Sequence, residues 1–232
     1  MLYYVKSAFL GLLLALAAIF PCSAVPYNPA PGTYAYGNGT PISPLYGGLL
    51  GSYAKGLVSG DIAAGLSANS PVFSFRYGGT GVAVVKKITV SAAVNGTAFT
   101  AGSAHLDLFA ARSFTVSDSA GTGATLTGNN AKLRTSFATT AVSDIRISST
   151  ATLTAGTRTL DTNPVSSVLF GAPATVTGTT LLPPYDLFKA ANAGDYPLVL
   201  ATNEGFVIQA VVPAMGVWNA TVWVEWDEYA AF

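Results

Sequence analysis

The side chains able to do chemistry are few and scattered. His105 is the only imidazole in the chain. It opens a strand-like run, His105–Val116, and no Ser/His/Asp arrangement can be built on one histidine. It reads as a structural or surface residue. The pattern G-x-S-x-G, which would expose a nucleophile on a sharp turn, does not occur. Cys22 is the only cysteine, which excludes a zinc site built on clustered cysteines and an intrachain disulfide framework. Glu225, Asp227 and Glu228 crowd one short stretch and suggest paired carboxylates of the kind that cleave glycosides. In a strand, however, Glu225 and Asp227 share a face and Glu228 turns away, so an exposed acidic strand end is expected. Asp118, Asn129 and Asn130 offer oxygens for calcium but lack the spacing of a calcium loop. Gly78-Gly79-Thr80-Gly81 and Gly121-Thr122-Gly123 look like phosphate loops, yet neither leads into a helical pattern or a Gly-Lys-Ser/Thr step. Hairpin turns are expected there. Asn38, Asn95 and Asn219 begin glycosylation triplets, which arise by chance in a Thr-rich chain and matter only in a eukaryotic secretory setting. No catalytic, cofactor or metal assignment follows, and a protein that is not an enzyme is expected.

What must hold these residues is a β scaffold. The chain has 232 residues, 24 of them glycine and 13 proline, and half are hydrophobic. That content argues against disorder. A body of about 170 residues buries roughly 70% of its unfolded surface and holds a core without staples. Charged residues make up only 9%, with 11 basic and 11 acidic side chains and no net charge. A nucleic-acid binder would carry a basic stripe. A surface of Ser, Thr, Ala and Gly is poorly protected against self-association. It suits a protein covered by neighbours or one that is exported.

The clearest pattern lies between Tyr196 and Glu228. Trp218, Ala220, Val222, Val224 and Trp226 alternate with Asn219, Thr221, Trp223, Glu225 and Asp227, the period of a strand with one buried face. Three strands in this stretch, parted by Thr202–Gly205 and Pro213–Gly216, predict the closing meander of an antiparallel sheet. Further strands are expected at Val72–Tyr77, Val82–Val94, His105–Val116, Lys132–Phe137, Asp144–Leu153, Pro164–Phe170 and Ala174–Leu182. Short helical turns are expected at Asp61–Leu66 and Tyr185–Ala190, with Pro183-Pro184 as a break. The fold class is therefore all-β: an antiparallel β-sandwich, jelly-roll-like, over residues 61–232.

Two segments precede it. Residues 1–24 join the basic Lys6 to an apolar run, Ser7–Phe20, and a small-residue step ending at Ala24. That is the pattern of a cleaved secretory signal; the alternative is an apolar helix retained against a partner. Residues 25–60 alternate prolines with Tyr27, Tyr34, Tyr36, Tyr46 and Tyr53. Prolines disfavour helix and central strand, and the rings suggest an extended arm. It would lie against a neighbouring subunit or along its own domain.

Several segments together carry a resemblance. Ser70–Gly78 (SPVFSFRYG), Val85–Ala92 (VKKITVSA), Leu108–Ser119 (LFAARSFTVSDS), Leu126–Thr140 (LTGNNAKLRTSFATT), Asp144–Thr162 and Asp195–Ala210 resemble a group of tailed-bacteriophage structural proteins. The closing N-E-G-F-V-I, Pro-Ala-x-Gly-x-Trp and W-x-E patterns are similar too. The likeness spans roughly Ala54–Tyr229 and implies a role more than a mechanism. It implies a non-enzymatic virion component, a capsid decoration (cement) protein or a piece of tail or neck. The implied partners are the major capsid protein or other virion proteins, in a homotrimer, with no nucleic acid and no cofactor. The implied location is the capsid surface; cleavage after Ala24 would instead give a secreted or periplasmic protein, an exported surface or adhesin domain. Membrane contact is expected only through residues 1–24.

Overall fold

The computed structural model describes residues 47–63, 66, 70–172, 174, 180–190 and 196–231. The signal-like segment, its expected helix and most of the expected arm lie outside the described residues. The strands in order are β1 (Gly47–Val58), β2 (Ile62–Ala63), β3 (Ser70–Tyr77), β4 (Val82–Val94), β5 (Gly102–Val116), β6 (Thr122–Gly123) and β7 (Val142–Ile147). They continue with β8 (Thr157–Leu160), β9 (Ser166–Ala172), β10 (Thr180–Lys189), β11 (Leu198–Leu200), β12 (Glu204–Val211) and β13 (Val217–Ala231). No helix occurs among the described residues.

These strands form two antiparallel sheets. One runs β1-β13-β4-β10, with β2 also on β13 and β11 also on β4. The other runs β6-β7-β3-β12-β5-β8, with β9 also on β5. The sheets face each other across one apolar core, as a sandwich requires. Trp226 of β13 meets Phe75 of β3 edge-on at 5.2 Å, and Tyr53 of β1 stacks on Trp226 at 5.5 Å. The row Trp218, Ala220, Val222, Val224 and Trp226 is buried, as its alternation predicts.

Several expectations need correction. The C-terminal strands are not a meander. β11 pairs with β4 in the first sheet, β12 with β3 and β5 in the second, and β13 returns to the first between β1 and β4. Periodicity reports which face is buried, but both sheets bury a face in the same core. The glycines at 78–81 likewise carry the chain from one sheet to the other and close no hairpin. The stretch read as an arm to residue 60 ends in β1, hydrogen-bonded along β13. The expected helical turns are strands as far as they are described: β2 and the end of β10.

Pro183 and Pro184 do not stop β10. They sit where the register slips from Leu182 opposite Ala92 to Tyr185 opposite Val90. A bulge on an edge strand is where a residue without an N–H is tolerated. Lys132–Phe137 is a run of turns with a single bridge from Lys132 to Tyr53. Its N–H groups return to nearby carbonyls, Lys132 to Asn129 and Phe137 to Arg134. The paired lysines within β4 are accommodated by a slip between Glu225 and Trp226 of β13. Lys86 is left without an opposite residue, and both lysines stay partly exposed while Val85 and Ile88 remain buried.

Candidate functional site

Each acidic side chain at the end of β13 has a structural task. Asp227 pairs with Lys86 at 2.8 Å. Glu225 accepts a hydrogen bond from Trp223 Nε1 at 3.1 Å. Glu228 overturns the expected exposed strand end, because it continues the inward row and is 1% exposed. Its Oε1 accepts from Trp226 Nε1 at 3.0 Å and from the Thr140 hydroxyl, and its Oε2 accepts from the Ala141 amide at 2.9 Å. A buried carboxylate is tolerable only when such donors replace water.

Two tyrosines share this end of the core. Tyr53 donates to the Ala138 carbonyl at 3.0 Å, whereas the buried Tyr77 hydroxyl has no hydrogen-bond partner. Burial, and then the charge of Glu228, push both phenols up to about 12. Of the five candidate contact tyrosines, Tyr27, Tyr34, Tyr36 and Tyr46 lie outside the described residues. Tyr53 is fully buried in its own domain, so the ring that could have clasped a neighbour instead fills the sandwich.

His105 and Asp107 alternate on the outer side of β5, with Nδ1 2.8 Å from Asp107 Oδ2.

Asp118 is not a calcium ligand in waiting. It is buried against Arg158, Oδ2 to Nη2 at 2.9 Å, and its Oδ1 accepts from the Gly156 amide at 2.9 Å. Asn129 and Asn130 are exposed, and the Asn130 amide donates back to the Thr127 carbonyl. No group of three potential metal-ligating residues occurs among the described residues.

The Asp118–Arg158 pair caps a second, small core on the outer face of the second sheet. Ser113 adopts a positive φ of 49° at a slip in the β5–β8 register. The chain there turns Phe114 over Gly205, where a Cβ would lie 2.9 Å from the Phe114 ring. Phe114, Ala111 and Val207 cluster there, with Leu160 packed against them, and the Arg158 guanidinium lies 5.6 Å from the centre of the Phe114 ring. Sequence reasoning missed this pair, since its members are 40 residues apart and each type is normally exposed.

Of the three sequon asparagines, Asn38 lies outside the described residues, and the other two have internal partners. Asn95 and Asn219 both donate to Asp61 Oδ1, at 2.6 and 2.9 Å. Those bonds hold the Asp61 carboxyl below its ordinary value.

On the first sheet the margin strands β10 and β1 are guarded. β10 carries Pro183, Pro184, Asp186, Lys189 and three register slips, and β1 is covered by the 131–133 segment through Ala54 N to Ala131 O and Leu133 N to Ser52 O. β9, at the margin of the second sheet, has the sequence SSVLFGA, without charge or proline. Its second edge runs beside β10 and pairs with no strand among the described residues. Leu169 within it is 71% exposed, and Val165 just before it 45%. Comparison with family models, curated proteins and solved structures gave no match.

Proposed function

We propose that this protein is a non-enzymatic structural component of a tailed-phage virion. In this reading it is a capsid decoration protein that works by subunit contact with its own copies and with the major capsid protein. The observation that supports self-contact is β9, an uncharged margin strand with Leu169 and Val165 exposed. Native sheets normally blunt such margins with charge, proline or cover, and this chain does so along β10 and β1 of the first sheet. An uncharged margin strand with Leu169 turned to solvent suits burial against a neighbour, and a closed ring of three copies is the symmetry we favour. The jelly-roll-like reading of the sandwich belongs to the same proposal.

Light scattering on the purified full chain tests it. Wild type should form a discrete trimer, and Leu169→Lys should shift it to monomer without changing the β-sheet circular dichroism. A wild-type chain that stays monomeric at high concentration overturns the self-contact. Mass spectrometry of purified particles tests the virion role, which requires the protein at a stoichiometric copy number. The competing reading, an exported surface domain, is favoured by the signal-like residues 1–24. It requires mature protein beginning at Val25 in a periplasmic or culture fraction.

A further inference from the structure

The outer face of the first sheet carries an exposed ring beside β1, the first described strand. Trp223 of β13 stands opposite Gly56 of β1, and Thr221 opposite Val58. The indole lies over Gly56, where a Cβ would stand 2.6 Å from Trp223 Cε3, and its Nε1 donates to Glu225. The ring is held by these neighbours, yet it is 44% exposed, and Val58 is 64% exposed. Leu57 packs against the core, so Val58, the next residue, shares the outer face with the ring.

The charges around the ring are already paired. Lys87 meets Asp186 at 3.1 Å and Lys86 meets Asp227 at 2.8 Å. Thr89, opposite Trp223 on β4, also donates to Asp186. A charged partner would have to break these pairs, whereas an uncharged one covers the ring and leaves them intact. Residues 25–46 of this chain contain no charged side chain. They hold Pro26, Pro29, Pro31, Pro41 and Pro44, and the pattern P-x-x-P occurs at 26–29 and again at 41–44. Such sequences favour the polyproline II form. Segments of that kind dock on aromatic surfaces because they have little conformational freedom left to lose.

We infer that residues 26–31 of the same chain dock on this face, with their prolines packed on the exposed side of Trp223 and Val58 at the edge of the contact. Reach decides between the two proline clusters. Gly47 lies opposite Ala231 at one end of β1, nine residues from Gly56, which is about 30 Å along a strand. A polyproline II segment advances about 3.1 Å per residue. Pro41 precedes Gly47 by six residues and reaches only about 20 Å back, short of the ring. Pro29 precedes Gly47 by 18 residues and reaches about 55 Å, enough to run back over β1 to the ring with slack for the turn. The covalent tether holds the segment at an effective concentration of about millimolar order, so even weak docking is well populated. This face belongs to the first sheet and does not include β9, so the inference goes beyond the self-contact proposed above.

Fluorescence reads the contact. The chain has three tryptophans, and Trp218 and Trp226 are fully buried. Iodide quenching of the folded full chain therefore reports Trp223. The measurement is made on a Leu169→Lys background, which removes the β9 contact, so failure here leaves the self-contact proposal standing and the reverse also holds. Replacing Pro26, Pro29 and Pro31 together by Ser should raise the quenching constant about threefold or more, as a tethered and mostly docked segment comes off the ring. Replacing Pro41 and Pro44 by Ser should raise it much less. Chymotrypsin cuts after tyrosine, and Trp223→Ala should speed cleavage at Tyr27 severalfold. Unchanged β-sheet circular dichroism shows that the variants are folded. The inference is overturned if the triple proline variant leaves quenching as it was, if the two proline variants act alike, or if Trp223→Ala leaves cleavage at Tyr27 unchanged. Quenching that rises when the chain with its native prolines is diluted would assign the contact to a neighbouring copy's segment, and that too overturns same-chain docking.

Discussion

Asp118 and Arg158 face each other at 2.9 Å with side-chain exposures of 0% and 5%. The pair sits on the outer side of the second sheet, closed off by Phe114 and the loop that carries it. Burial raises the Asp118 carboxyl and lowers the Arg158 guanidinium, against the pull of each on the other. Asp118→Ala should cost about 3–5 kcal/mol in urea unfolding at neutral pH, because it strands a buried guanidinium. The double variant Asp118→Leu/Arg158→Met should recover most of that loss. A single-variant loss under about 1 kcal/mol would show that water reaches Arg158.

Glu228 makes a second prediction by the same logic with a different partner set. Glu228→Ala leaves the Trp226 indole N–H and the Ala141 amide without acceptors, and each such buried group costs about 1–3 kcal/mol. Glu228→Gln keeps one carbonyl acceptor and should cost distinctly less. Chemical denaturation of the two variants compares them directly, and equal losses would contradict the donor arrangement described above.

Tyr53 and Tyr77 should behave differently although both are buried. Tyr53→Phe loses the bond to the Ala138 carbonyl and should cost about 1 kcal/mol, whereas Tyr77→Phe removes an unpartnered hydroxyl and should be neutral or stabilising. Both phenols stand near 12 in the fold against 10.0 unfolded. A raised phenol supplies stability that is complete below its unfolded value and is lost as pH rises through its folded value. Unfolding free energy should therefore fall between about pH 10 and 12. In a spectrophotometric titration at 295 nm, part of the tyrosine signal should appear only with unfolding.

Asp61 makes the acid-side prediction. Its depressed value comes first from the Asn219 amide and then from Asn95. A depressed carboxyl supplies stability that is present above its unfolded value and is lost as pH falls through its folded value. Asn219→Ala should move the Asp61 titration up toward the ordinary value of 3.8. Carbon-detected NMR of the side-chain carboxyl reads this, and an unmoved titration would refute the assignment of cause.

How much of this was legible beforehand depends on the distance over which each cause acts. The buried row of β13 follows from local alternation, because a pleated strand with one apolar face enforces period two, and the bounds of β4 follow from its β-branched run and the Asn95-Gly96 stop. β1 was hidden by glycines that read as loop. Their lack of a side chain makes room for rings from elsewhere, Trp223 over Gly56 and the Tyr53 ring itself near Gly51. β10 was hidden by prolines that only a bulge at an edge accommodates. The inward turn of Glu228 depends on donors at Thr140 and Ala141, 88 and 87 residues away. An acidic residue type alone points outward. The exposed Leu169 and Trp223 are ordinary letters in alternating strands until the sheets assign them a side.

Among the described residues β1 finds its only ladder partner in β13, and β13 lies between β1 and β4. A nascent chain therefore emerges with its earliest described strand waiting for residues 217–231 to leave the ribosome. The first sheet can close only after translation has passed that point. A nonsense codon before Val217 would release a polypeptide with two raw strand edges, prone to aggregation and proteolysis rather than merely shortened.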